Sequence, residues 1–252
     1  MTETTPRPVL RLHPAHRDDI GDLITRRPVP GPGLDQVDPF LFLNHHGPQT
    51  YPPNNAGLPF GPHPHRGFET VTFILDGELA HNDSGGGESI IKAGGIQWMT
   101  AGSGLIHAEL SPADFKRDGG PMEILQLWVN LPRAKKWAPP AYQDIRSSEV
   151  KLLASPDGGA LLRLIAGDVG EHRGPGSTQT PITLVHATIQ PGAELDLPWR
   201  ADFNALVYVL SGRGSVGAER VAIEAGQLAV YGAGDRIVVN ASKYQDVRTP
   251  AL

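Results

Sequence analysis

Glycine and proline decide what this chain can fold into. It carries 30 Gly and 24 Pro among 252 residues, against ordinary usage of about 7% and 5%. They are spread along the whole length and cut it into short apolar runs. Proline fixes φ and removes a backbone donor, while glycine adopts turn conformations closed to other residues. Long helices do not survive such punctuation, whereas short strands joined by tight turns do. The expected fold class is all-β, a sandwich or barrel.

Composition then removes several chemistries. With no cysteine there is no disulfide framework, thiolate metal site, cysteine nucleophile or iron–sulfur cluster, so a bound metal must take nitrogen and oxygen ligands. A net charge of −5 without a basic block argues against direct nucleic-acid binding, which needs clustered Lys and Arg to neutralise phosphate. The opening MTETTPRPVLRLHP lacks a basic region followed by an apolar stretch. No run approaches the roughly 18 apolar residues of a spanning helix. The expectation is a soluble, cytoplasmic protein with no membrane partner.

Strands are expected over residues 39–46, 88–93, 96–100 and 124–130, with residues 68–83 forming a hairpin around Asp76-Gly77. Lys135-Lys136 and Pro139-Pro140 interrupt the series. This places a boundary near residue 140, giving expected domains 1–140 and 141–252. A second series follows at 183–189, 205–210, 220–224 and 227–231. It echoes the first: TFILDGE at 72–78 resembles VYVLSGR at 207–213, and IIKAGGIQ at 90–97 resembles VAIEAGQL at 221–228. Two copies of one β-barrel module account for the echo, and two barrels packed together bury their own edges, so a monomer is expected.

Eight of the ten histidines precede residue 110. The halves share a pattern but not a chemistry. His63-Pro64-His65 stands just before a strand, and residues i and i+2 of an extended chain face the same side. His107-Ala108-Glu109 repeats that spacing after the Gly102-Ser103-Gly104 loop. Together the two pairs supply three imidazoles and one carboxylate, a divalent-cation site with positions left for water or substrate.

Elsewhere the marked residues read as structural. His45-His46 is expected as a loop pair facing water and His81 as a polar surface position; His13, His16, His172 and His186 have no partner at ligand spacing. Trp98, Phe73, Met99 and Trp128 read as core more readily than as a substrate pocket. Gly85-Gly86-Gly87 and Gly212-Arg213-Gly214 lack the helix and the Lys-Ser/Thr of a phosphate loop. Ser103 lacks the helix that follows a nucleophile elbow.

The blocks FGPHPHRGFETVT at 60–72 and QWMTAGSGLIHAE at 97–109, with DPFL at 38–41 and WVNLP at 128–132, resemble the pirin family of the cupin superfamily. The resemblance implies a bicupin: two antiparallel jelly-roll barrels, with metal only in the N-terminal one. It implies His63, His65, His107 and Glu109 as ligands of one divalent ion, most readily Fe(II), with Ni, Cu, Mn or Zn as substitutes. Glu69 falls where general cupins place a carboxylate ligand, and a structural role is expected for it here. Leu197-Pro198-Trp199 occupies the matching place of the second half. The implied activity is that of a quercetin 2,3-dioxygenase, an oxidoreductase cleaving a small aromatic flavonol with O₂. Glu109 would then be ligand and base. The alternative is a non-enzymatic, redox-sensing regulator acting through a protein partner.

Overall fold

The computed structural model describes residues 4–244. The first three and last eight residues, which the expected domain limits include, lie outside the described residues. The chain divides into two compact units. One is Ala15–Val150 with Pro175–Pro181, and the rest of the described chain forms the other.

The strand β1 (Val9–Pro14) opens the chain and belongs to the second unit. The first unit begins with β2 (His16–Arg17), β3 (Thr25–Val29) and β4 (Phe40–Tyr51). Next come β5 (Phe60–His65), β6 (Phe68–Asp76), β7 (Glu78–Asp83), β8 (Glu88–Lys92), β9 (Ile96–Thr100) and β10 (Leu105–Leu110). A short helix, α1 (Ala113–Asp118), leads into β11 (Gly120–Asn130) and β12 (Ala141–Ile145). No helix among the described residues is long and apolar enough to cross a membrane.

These strands form a seven-stranded sheet in the order β12-β9-β6-β11-β4-β3-β2 and a four-stranded sheet in the order β5-β10-β7-β8. Ile74, Met122, Ile124 and Tyr51 from the larger sheet pack with Leu79 and Ile91 from the smaller in one buried cluster. Each such side chain contributes about 1.5–3 kcal/mol by leaving water.

The expected hairpin at residues 68–83 does not form. β6 pairs with β11 and β9, whereas β7 pairs with β10 and β8. At Gly77 the chain passes from one sheet to the other instead of folding back. Gly77 takes φ +84°, and a Cβ there would lie 2.6 Å from the Pro121 carbonyl oxygen. The Asp-Gly signal marked a sharp turn correctly, but turn chemistry does not specify which strand the outgoing segment pairs with.

The unit limit also falls later than residue 140. β12 runs in register with β9 from Ala141 opposite Thr100 to Ile145 opposite Ile96, and so completes the edge of the first unit's sheet. The Pro-rich interruption is a single 3₁₀ turn at Arg133–Lys135 within that unit.

The second unit contains β13 (Lys151–Ala154), β14 (Ala160–Ala166), β15 (Asp168–Val169), β16 (His172–Arg173), β17 (Leu184–Ile189) and β18 (Glu194–Pro198). It ends with β19 (Leu206–Tyr208), β20 (Arg213–Val216), β21 (Val221–Glu224), β22 (Gln227–Tyr231) and β23 (Arg236–Ala241). Its sheet β18-β23-β20-β21 has the connectivity of β5-β10-β7-β8, and β19 pairs with β22 as β6 pairs with β9. The internal echo in sequence is thus an echo in topology.

Candidate metal centre

β5 and β10 lie side by side with His63 opposite His107. The i,i+2 spacing turns His65 to the same side. The three imidazoles consequently meet: ring centroids lie 4.8 Å apart for His63–His65, 4.5 Å for His63–His107 and 4.9 Å for His65–His107. One ligand nitrogen from each falls within 4.8 Å of the others.

The backbone assigns the His63 tautomer. Its Nδ1–H donates to the Gly61 carbonyl at 2.7 Å, leaving the Nε2 lone pair to face His107 Nε2 at 3.0 Å. A carbonyl acceptor on the far ring nitrogen is the usual outer support of a metal-binding imidazole. Burial, and then the neighbouring His63, lowers His65 to about 4. Burial, followed by His63 and His65, lowers His107 to about 3. Both are neutral at pH 7, the form that can coordinate.

Glu109 is 1% exposed and stands beside the triad, with Oε2 4.0 Å from His107 Nε2. Thr72 on β6 donates its hydroxyl to Oε1 at 2.8 Å, and Gln126 on β11 donates Nε2–H to Oε2 at 2.7 Å. The carboxylate therefore bridges the two sheets. Burial pushes its pKa up, and the Thr72 and Gln126 hydrogen bonds oppose that shift. Each oxygen keeps a lone pair free for a cation.

Glu69 is engaged elsewhere. It accepts the Thr100 hydroxyl at 2.7 Å on Oε1 and the Gln179 N–H at 3.4 Å on Oε2. Its carboxyl ties β6 and β9 to the 175–181 segment.

An aromatic wall flanks His65. Trp128 stacks on Phe42 with centroids 4.4 Å apart and lies 4.7 Å from Phe68, while His65 meets its edge at 5.2 Å. Arg27 caps the stack over Phe42 at 4.9 Å. Trp98, Met99 and Phe73 are buried core.

The residues present fit a divalent cation. Three imidazole nitrogens converge, the Glu109 carboxylate stands beside them, and His107 Nδ1 is buried without a hydrogen bond. Nitrogen–oxygen donor sets of this kind suit Fe, Ni, Cu or Zn.

The family model Pirin matches residues 22–129, and the Pirin C-terminal cupin domain matches residues 184–249. A Pseudomonas aeruginosa protein named "Putative quercetin 2,3-dioxygenase PA3240" is 38% identical over 86% of this chain and 76% of its own length.

The chain belongs to the pirin family.

A second P. aeruginosa protein, "Putative quercetin 2,3-dioxygenase PA2418", is 41% identical over 73% of this pirin. The match spans 65% of that relative's length. A crystal structure of quercetin 2,3-dioxygenase from Acinetobacter baumannii superposes with a TM-score of 0.87 at 32% identity, covering 95% of this chain and 84% of its own.

Three histidines of this pirin sit differently from their sequence expectations. His45 and His46 are each 1% exposed within β4, not in a loop. His45 Nε2 pairs with Glu123 at 2.8 Å, and His46 Nδ1 pairs with the Thr25 hydroxyl at 2.8 Å. His81 is not a surface residue: it is 1% exposed, points inward from β7, and its ring centroid lies 5.4 Å from that of His107. The signal that could have found it is the His81-Asn82-Asp83 spacing, another polar i,i+2 pair on a strand.

Strand pairing also identifies the second unit's counterparts of the site. Aligning the two four-stranded sheets by register puts Leu197, Trp199, Ile237 and Val239 at the places of His63, His65, His107 and Glu109. Ile237, Trp199 and Val239 pack into an apolar cluster.

Proposed function

We propose that this pirin is a metal-dependent dioxygenase of the quercetin 2,3-dioxygenase type, acting with O₂ on a flavonol-like substrate that chelates through adjacent oxygen atoms. His63, His65, His107 and Glu109 hold the cation, with Fe(II) as the native ion. The reading takes each unit as a closed jelly-roll barrel, with the metal in the first alone. The observation that carries it is the convergence of three imidazoles on one point beside a buried carboxylate.

When bound, the ion supplies Lewis acidity and a seat for the chelating oxygens and O₂. Everything else falls to the chain. Glu109 takes the proton from the substrate hydroxyl onto a carboxylate oxygen. Thr72 and Gln126 hold that carboxylate in place through the transfer. Phe68 and Trp128 give the planar substrate a stacking wall next to His65 and keep water from that side.

The test is anaerobic Fe(II) loading followed by quercetin and O₂, monitoring flavonol absorbance. Loss of absorbance that His107→Ala abolishes is the expected result. Fully iron-loaded wild-type protein that turns over no flavonol overturns the enzymatic reading.

A further inference from the structure

Gln97 carries a buried amide that neither the ligand set nor the proposed reaction uses. It is 0% exposed, and the chain gives no hydrogen bond to its Oε1 or its Nε2. On β9 it stands directly opposite Thr72 of β6, and Gln126 of β11 stands opposite Thr72 on the other flank. Side chains opposed across antiparallel strands point to one side of the sheet, with Cβ atoms about 4.5–5.5 Å apart. Thr72 and Gln126 both turn to Glu109, at 2.8 and 2.7 Å. Gln97 is therefore the third member of a row whose other two hold the carboxylate beside the triad, and its amide projects to the same side.

Two further atoms on that face are idle. Thr70 and Trp128 oppose each other on β6 and β11, two residues along from Thr72 and Gln126. Thr70 Oγ1 and Trp128 Nε1 are both buried without a hydrogen bond, and the Trp128 ring lies 5.2 Å from that of His65. Folded proteins pair nearly all their buried polar atoms, because an unpaired one has given up its water for nothing. Four such atoms on one face of three adjacent strands mark a surface shaped for a polar guest. The second unit supplies the contrast. There Val207, the counterpart of Thr72 in the echoed segment, stands opposite Ala229. The polar row and the imidazole set are lost together.

The amide selects the chemistry of the guest. Oε1 only accepts and Nε2 only donates. A carboxylate has no proton to offer Oε1, and an ammonium has no lone pair for Nε2–H. Two hydroxyls on adjacent ring carbons satisfy both atoms at once, one donating and the other accepting, as a glutamine amide reads the paired donor and acceptor of adenine. We propose that Gln97 is a specificity-determining residue for a catechol: it accepts one hydroxyl on Oε1 and donates Nε2–H to its neighbour, on a part of the substrate outside the chelating oxygens. This rests on the reading of the site as acting on a chelating flavonol, and narrows that class to members with such a pair.

The experiment measures dissociation constants for the Fe(II)-loaded full chain under argon, from the change in flavonol absorbance on binding. The probes are 3-hydroxyflavone, which has the chelating pair alone, its derivatives with an adjacent hydroxyl pair on the pendant or the fused ring, and the dimethyl ethers of those derivatives. One catechol derivative is expected to bind roughly 10–100-fold more tightly than 3-hydroxyflavone, and its dimethyl ether, with no proton to give, to lose that gain. Gln97→Met, which keeps the length of the side chain without its polar atoms, should shrink the gain to about twofold or less at equal bound iron. Wild-type protein that binds each catechol no more tightly than its dimethyl ether overturns the inference and leaves the flavonol reading standing. That comparison needs no variant, so it decides even where Gln97→Met does not fold. A gain that survives in folded Gln97→Met overturns the assignment to Gln97. Iron-loaded wild-type protein that binds none of the probes overturns both readings.

Discussion

The Gly61 carbonyl oxygen accepts Nδ1–H of His63 at 2.7 Å, and this one contact decides which nitrogen His63 presents to His107. The acceptor belongs to the main chain two residues away, so no side-chain substitution removes it. His63→Ala should therefore lose binding through the missing ligand alone. Its affinity for a divalent ion should fall by more than the roughly 10–100-fold typical of a lost outer partner. Metal content after dialysis against a weak chelator, set against an unchanged melting temperature of the metal-free protein, checks this.

Thr72 and Gln126 keep the buried Glu109 from shifting further toward the protonated form. Thr72→Val removes one of these donors, so the Glu109 pKa rises. A base acts only when deprotonated, so its contribution is present above its pKa and lost as pH falls through it. The acid limb of the kcat/KM profile should therefore move to higher pH in Thr72→Val. An unshifted limb would detach Glu109 from the proton transfer.

Glu109→Gln keeps the size of the side chain but removes the charge and the base. On the proposed mechanism kcat should drop by about 10²–10⁴-fold, the usual worth of a positioned base. Rates are to be normalised to bound metal, because the same change removes an anionic ligand.

His46 gives the fold an acid sensitivity of its own. Burial, then the nearby His45 and Arg27, lowers it to about 3, whereas an unfolded histidine titrates near 6.5. Between those values the unfolded state binds the extra proton, so stability falls as pH drops from about 6.5 toward 3. His46→Gln should flatten the decline of melting temperature over that window relative to wild type. It should also lower stability at pH 7.5 through an altered bond to Thr25.

Gly77→Ala meets the Pro121 carbonyl at 2.6 Å and demands a positive φ from a residue with a side chain. A loss on the order of 1–3 kcal/mol is expected, read by urea denaturation. Gly86→Ala, also at positive φ but with nothing within 4 Å of its Cβ, should cost less. The comparison separates steric from conformational cost.

The two His-x-His/Glu-type pairs were readable from sequence because strand alternation maps i,i+2 spacing directly onto a shared face. The echo around Asp76-Gly77 and Ser211-Gly212 likewise exposed the repeated module. The same Asp-Gly pair misled about pairing: turn chemistry is local, while β6 takes its partners from β9 and β11 and β7 from β8 and β10, in different sheets. His81 was missed for a related reason. The His81-Asn82-Asp83 spacing puts both polar side chains on one face of β7, but which face turns inward depends on its pairing with β10. His45 and His46 were lost to the length of β4, which runs on to Tyr51 past residues that read as turn formers.

The repeated topology means that the protein carries its own blank. Leu197, Trp199, Val216, Ile237 and Val239 occupy, in an equivalent set of strands, the places of His63, His65, His81, His107 and Glu109. An ion held by the first set should slow backbone amide exchange in β5 and β10 and leave β18 and β23 at their own rates. Any agent that slows both sets equally is acting on the chain as a whole, so a single exchange map distinguishes occupancy from general stabilisation without a second protein as reference.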